Sequence, residues 1–348
     1  MDFKGPKVNI LIVKLSAIGD VIHTLPSLVA LRALYPGAHI TWVVEEAAAD
    51  LVRHHPCLDE VLVSRRKTWG RNFRRGELRN TFNEIRTWLK TLRQRHYDLV
   101  IDFHGLFKSA FIVFLSGGKR KLGYDSWQEL SGLFLNEKIA EKMNKHAVDR
   151  YLDFPRYLGA QIDHVQFILP LGKSSEEKVK MMMDRYHLKE KQFVAINPIA
   201  LWDTKLWSDE KFSRLAHLIY DHLKMDVVFT GSDQETLGKI VTPTDKVIIN
   251  LGGHTSLIEL ACLYKQARLV ISTDSGPMHL AAAVGTPVAA LFGPTDPART
   301  GPYGRGHTVI TSGMNCSPCF LKKCRTKKCM ENISVEQVFS VVKKMIKE

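Results

Sequence analysis

The sequence predicts an α/β protein of two domains, each a parallel sheet flanked by helices. Three observations carry this. The chain of 348 residues is long for one core and comfortable for two. Short apolar runs rich in β-branched residues alternate with stretches of helical period in both halves. Each half also contains one such run that breaks into a small-residue turn and then opens a helix. Composition is that of a globular chain, 45% hydrophobic and 24% charged, without internal repeats or low-complexity tracts.

In the first half, Val8–Val13, Ile40–Val44, Val61–Val63 and Leu99–Phe103 read as buried strands. Helices are predicted over Val21–Leu34, Leu78–Arg95 and Leu106–Leu115. In the second half, strands over Phe193–Asn197, Val227–Thr230, Val247–Asn250, Leu269–Ser272 and Val288–Leu291 alternate with helices over Asp209–Leu223, Glu235–Val241 and Ser256–Tyr264. The polar, lysine-rich segment 171–192 reads as a linker with a bridging helix, which places the domains at 1–170 and 193–333. An amphipathic helix over Val335–Ile346, within residues 334–348, closes the chain and is a candidate to pack back on the N-terminal domain.

The two strand-to-helix turns point to chemistry. Leu269–Ser272 runs into Asp274-Ser275-Gly276-Pro277 at a helix entrance, where free backbone N–H groups and the positive end of the helix dipole suit a diphosphate. A well-capped turn without a ligand has the same residue types. The N-terminal strand is followed by a second glycine turn, Lys14 to Pro26. Ligands of open α/β sheets bind outside the carboxyl ends of the strands, which is where Asp20 and Asp274 fall.

The formal charge of +13 favours an anionic partner. Much of it lies in three basic clusters, Arg65–Arg75, Lys119–Lys121 and Lys322–Lys328, each by itself compatible with a solvated loop. No apolar run reaches the roughly eighteen residues of a membrane span. The first residues lack the apolar core of a signal peptide, so a cytoplasmic location is expected. Cys57 and Cys262 read as buried small residues. Cys316, Cys319, Cys324 and Cys329 are clustered at spacings open to a structural zinc or iron, or to free thiols.

Five segments, in this order and spacing, resemble the ADP-heptose:lipopolysaccharide heptosyltransferases of glycosyltransferase family 9. They are Lys14–Pro26, Trp42-Val-Val-Glu-Glu46, Asp102-Phe-His-Gly-Leu-Phe-Lys-Ser109, Lys205-Leu-Trp207, and Thr273–His279 with Leu291–Thr295. The first two look most like heptosyltransferase I. The resemblance implies the GT-B fold, with two Rossmann-like domains facing across a cleft. It implies inverting transfer of heptose from ADP-heptose to Kdo of Kdo2-lipid A, at an anionic inner-membrane surface, with no cofactor required.

On that resemblance Asp20 is the general base, with a helix cap as its other role, and Gly19 and His23 beside it bind the acceptor. His23 is equally a core histidine. Lys205 is the phosphate lysine, and Thr273, Asp274, Ser275, Gly276 and His279 shape the donor pocket. Asp233 or Glu235 binds the adenosine ribose. Arg65, Arg66, Lys67, Lys108 and Arg120 meet the acceptor's carboxylates and phosphates, and Trp69 and Phe73 either enter the membrane interface or belong to the core. The chain departs from the family at Asn197-Pro-Ile-Ala, where hydroxyl side chains are missing, so backbone amides or Thr204 would have to substitute. The alternatives are another family member with a different acceptor or donor, such as heptosyltransferase II, and a basic nucleic-acid-binding protein with a cysteine cluster. The transferase reading expects no nucleic acid partner.

Overall fold

The computed structural model describes residues 8–126, 132–232, 234–238, 240–241 and 247–347. The chain divides into two units, Met1–Pro170 and Leu171–Glu348. The first contains β1 (Asn9–Val13), α1 (Ile18–Leu34), β2 (His39–Glu45), β3 (Glu60–Ser64), α2 (Arg66–Arg74), α3 (Leu78–Leu92), β4 (Leu99–Asp102), α4 (Phe107–Leu115), β5 (Arg120–Tyr124), β6 (Glu137–Ile139) and α5 (Ala147–Tyr157). Its strands form one sheet in the order β3-β2-β1-β4-β5-β6, and each described pairing is parallel.

The second unit contains α6 (Lys173–Arg185), β7 (Phe193–Asn197), α7 (Asp209–Leu223), β8 (Asp226–Phe229), α8 (Gln234–Gly238), β9 (Ile248–Asn250), α9 (Leu257–Gln266), β10 (Leu269–Thr273), α10 (Gly276–Ala283), β11 (Val288–Leu291), α11 (Pro297–Thr300), β12 (Thr308–Ile310), α12 (Lys328–Glu331) and α13 (Val335–Lys347). Its sheet has the order β12-β11-β10-β7-β8-β9, again parallel. Both sheets reverse strand order at one point, between β1 and β4 and between β7 and β10. A crevice opens at such a point beyond the carboxyl ends of the strands.

Strands buried on both faces explain the unbroken apolar runs. Leu11, Val13, Val43 and Val100 meet Leu92 of α3 and Ile112 and Val113 of α4 in one buried cluster. Each such side chain contributes roughly 1.5–3 kcal/mol on burial. Helix α1 begins three residues before the sequence reading placed it, so Gly19 and Asp20 lie within its first turn. Pro26 sits inside α1, where it removes a backbone bond; burial of most of the helix, including Ile22, Leu25 and Leu28, offsets that cost.

One expectation about the second unit is corrected. Segment 171–192 is part of that unit: α6 is tied to α9 by Lys178–Glu259 at 3.0 Å, and the Lys191 N–H donates to the Gln266 carbonyl at 2.8 Å. The C-terminal helix buries Val335, Val338 and Val342 among Phe212 and Ile219 of α7, so its apolar stripe belongs to the second unit's own core. Val338→Asp, which puts a carboxylate into that core, is expected to destabilise the second unit by more than about 3 kcal/mol. Glu336→Ala, which removes an exposed pair with Arg214, should change stability by less than about 1 kcal/mol. Urea unfolding of the two variants checks both.

Candidate active site

The residue after β1 is Lys14, whose side chain is only 3% exposed. Its ammonium donates to the Phe103 carbonyl at 3.0 Å and to the Tyr151 hydroxyl at 2.6 Å. Tyr151 in turn donates to Asp20 Oδ1 at 3.3 Å, while Asp20 Oδ2 accepts the Ala17 N–H at 3.1 Å. One carboxylate oxygen therefore caps α1 and the other is held by the tyrosine. Burial pushes the Lys14 pKa down, and the Asp20 and Asp102 charges oppose that shift. Burial, followed by the Asp20 charge, pushes the Tyr151 hydroxyl well above its usual range, so it stays a donor.

The β4 end supplies the other wall. Asp102 is buried and accepts the His104 N–H at 2.9 Å, the Gly105 N–H at 3.1 Å and the Ser109 hydroxyl at 2.9 Å. Gly105 turns the chain there at φ +66°. Burial raises the Asp102 carboxyl, and these hydrogen bonds and Lys14 work against it. His104 presents both ring nitrogens without a hydrogen-bond partner among the described residues. Burial first, then the Lys14 and Lys108 charges, push its pKa down to about 3, so the ring is neutral.

Cations gather beside this crevice. Glu45, buried at the end of β2, faces Arg66 at 3.0 Å, Lys67 at 3.5 Å and Lys108 at 3.7 Å. One carboxylate among three cations leaves an excess positive charge. Lys108 also donates to Ser16 Oγ at 3.2 Å, which brings α4 to the turn carrying Asp20. Arg65 pairs with Glu46 at 3.0 Å and Glu84 at 3.2 Å. A cavity of about 520 Å³ lined by Glu45, Ser64, Arg66, Lys67, Arg71 and Arg74 adjoins these groups.

In the second unit Lys205 follows β7 and Asp274 follows β10, and the two meet at 2.6 Å. Asp274 is buried and also accepts the Thr295 hydroxyl at 2.6 Å. The Lys205 ammonium lies 4.6 Å from the centre of the Trp202 ring, and Lys322 lies 5.2 Å from it. Ser275 precedes α10, with Gly276 and Pro277 in its first turn, so the expected helix entrance is formed. Thr273 donates to the Ile199 carbonyl at 3.2 Å, and His279 is buried on α10.

Several expected site residues fall elsewhere. Arg120 is the first residue of β5 and lies in register with Leu99, the first of β4. It is therefore at the amino edge of the sheet, opposite Asp20, in a two-bond pair with Glu137 at 2.8 and 2.9 Å. His23 is buried and meets His146 edge-on with ring centres 5.4 Å apart, which makes it a core residue between α1 and α5. Trp69 is also core, donating to Glu84 at 2.9 Å. Thr204 donates its hydroxyl proton to the Leu321 carbonyl at 2.8 Å and so cannot also offer it to a phosphate. Glu235 is exposed on α8, and Asp233 lies outside the described residues. Cys316 and Cys324 are exposed while Cys329 is buried, and among the described residues no three His, Cys, Asp or Glu side chains are arranged to hold a metal.

The profile of glycosyltransferase family 9 (heptosyltransferase) matches residues 85–330. The chain belongs to this family. Lipopolysaccharide heptosyltransferase 1 of Pseudomonas aeruginosa is 32% identical over 332 residues, covering 91% of this chain and 87% of the relative. Lipopolysaccharide heptosyltransferase 3 of Escherichia coli is 26% identical over 340 residues, 95% of this chain and 96% of the relative. The E. coli heptosyltransferase WaaC with ADP superimposes with a TM-score of 0.78 at 26% identity, covering 97% of this chain and all of that one. The chain is thus a heptosyltransferase-family glycosyltransferase, most like heptosyltransferase I, with two Rossmann-like domains.

Lys14, Glu45, Asp102, His104 and Tyr151 were given no role by sequence. The first four lie in segments that carry the family resemblance; Tyr151 has no local signal.

The His104 ring takes up a proton near pH 3 in the folded chain and near 6.5 when free of its surroundings. Between these values the unfolded chain binds more protons, so this contribution to stability is full above about pH 6.5 and is lost as pH falls towards about 3. His104→Gln removes the titration. Acidification over that window should therefore destabilise the wild type more steeply than the variant, as read by urea midpoints at successive pH values.

Proposed function

We propose that the chain transfers L-glycero-D-manno-heptose from ADP-heptose to a hydroxyl of Kdo in Kdo2-lipid A, with inversion and without a metal. The observation that supports this most strongly is the Asp20 carboxylate. It is fixed by Tyr151 at the strand-order reversal of the first sheet, beside a pocket with more cations than anions. In this reading the acceptor hydroxyl attacks C1 of the heptose. The new C1–O bond forms as the bond to the ADP oxygen breaks, and Asp20 takes the hydroxyl proton.

Lys205 and the first-turn amides of α10 receive the negative charge that develops on ADP. Asp274 orients that lysine. Arg66, Lys67 and Lys108 would meet the carboxylates of the sugar acid, exchanging part of their hold on Glu45 for the ligand. A lipid-linked acceptor places the enzyme at an anionic membrane surface. No helix among the described residues is long and apolar enough to cross a membrane, so attachment in this reading is peripheral.

The test is ADP release from purified protein given ADP-heptose and Kdo2-lipid A in the presence of a chelator. Acceptor-dependent release is expected. Asp20→Asn should lower kcat by about 10²- to 10⁴-fold while ADP binding persists. Lys205→Met should lower kcat by roughly 10²- to 10³-fold and weaken donor binding as well. Release only with an already heptosylated acceptor would move the assignment to another member of the family, and release abolished by the chelator would overturn metal independence.

A further inference from the structure

Helix α4 is apolar over most of its surface, Lys108 and Ser109 apart. Ala110, Ile112 and Val113 are buried against the first sheet, whereas Phe107, Phe111 and Phe114 are 53%, 49% and 52% exposed. The spacing i, i+4, i+7 puts the three rings on one face, which stays about half exposed although Phe114 also packs on Phe134 with ring centres 5.0 Å apart. Helix α3 lies alongside on the same side of the sheet: Leu92 shares the buried cluster with Ile112 and Val113, and Arg93 Nε donates to the Leu115 carbonyl at 2.9 Å. It exposes Leu78 and Phe82 near its start, 51% and 61%.

The charge beside this apolar surface indicates what covers it. Residues 65–96, which include α2 and α3, hold eleven Lys and Arg against two Glu, so this short stretch carries most of the chain's excess of +13. Exposed aromatic rings flanked by arginines are complementary to one kind of surface, an anionic lipid bilayer, where rings enter the acyl boundary and guanidinium groups meet phosphates. A second copy of the chain is disfavoured as the occupant, because a two-fold contact through this face would bring the same basic segment against itself.

We infer that the phenylalanine face of α4, with the exposed start of α3, is the surface by which the first unit docks on an anionic membrane. Its position gives it a purpose. Lys108 lies one residue from Phe107 on the same helix, about 100° round, and reaches Ser16 and Glu45 at the acceptor pocket. Docking through the rings therefore presents that pocket to a headgroup whose acyl chains stay in the bilayer. The inference rests on the proposed function only for the identity of this lipid-linked acceptor.

The test is cosedimentation of the full chain with phosphatidylethanolamine–phosphatidylglycerol vesicles and with phosphatidylcholine vesicles, beside turnover on a deacylated, water-soluble acceptor. The wild type should bind the anionic vesicles, less so as salt rises, and should bind phosphatidylcholine weakly. Replacing Phe107, Phe111 and Phe114 together by Ser should weaken anionic vesicle binding by about tenfold or more while turnover on the deacylated acceptor is unchanged. A second variant, Phe111→Trp, should gain blue-shifted emission that brominated lipids quench beyond the wild-type signal. Vesicle binding equal to wild type in the triple variant, or no added quenching at Trp, would overturn the inference. So would a wild-type dimer that the triple variant converts to monomer, which would assign the face to a second copy. Failure of turnover on the deacylated acceptor would count against the proposed reaction and leave the docking result standing.

Discussion

A lysine ammonium buried at the end of the first strand sets the arrangement of the first unit's crevice. An unpaired buried charge is too costly to keep, so Lys14 must be met by fixed partners. It finds them in the Phe103 carbonyl and the Tyr151 hydroxyl, with Asp20 and Asp102 close enough to oppose the loss of its proton. Lys14 stands at the end of β1, those two partners belong to the turn after β4 and to helix α5, and Asp20 belongs to α1. One charge thus ties four parts of the unit together. It also leaves Tyr151 with its proton directed at Asp20, which fixes the carboxylate oxygen that does not cap the helix.

The second unit solves a related problem differently. There the lysine and carboxylate touch, Lys205 on Asp274 at 2.6 Å, with Thr295 filling a remaining lone pair. Both pairs sit where their sheet reverses strand order, so each unit places one cation and one anion at the mouth that the parallel topology creates. The pairs differ in what they leave available. In the first, a tyrosine stands between the charges and holds a carboxylate, which takes up the acceptor proton in the proposed reaction. In the second, the lysine stands at the start of α10, where the diphosphate leaving in the proposed reaction would gain from ammonium and helix dipole together.

The sequence was most legible where burial left an unbroken apolar pattern. β1, β4, β7 and β10, flanked by their turns, were readable within a residue or two, and with them the positions of Asp20 and Asp274. Helix α2 was not, because Arg66–Arg74 sets only Trp69 and Phe73 among three arginines and a lysine and reads as a solvated basic loop. The edge strands β6 and β12 are three residues each and carry too little pattern. Arg120 misled because a basic cluster gives charge without saying which edge of a sheet it occupies. Tyr151 was invisible for a different reason: its partner Asp20 is 131 residues away, and nothing near Tyr151 marks that contact.

In the proposed reaction Lys14 and Tyr151 hold Asp20 for catalysis. The most direct measurement is steady-state transfer by Tyr151→Phe, in protein verified as folded, with donor and acceptor varied separately. Loss of one hydrogen bond to a charged group is worth about 1.5–3 kcal/mol, so kcat should fall roughly 10- to 100-fold with KM for ADP-heptose unchanged. An unaltered kcat would show that Asp20 needs no support from the buried lysine and would contradict the account.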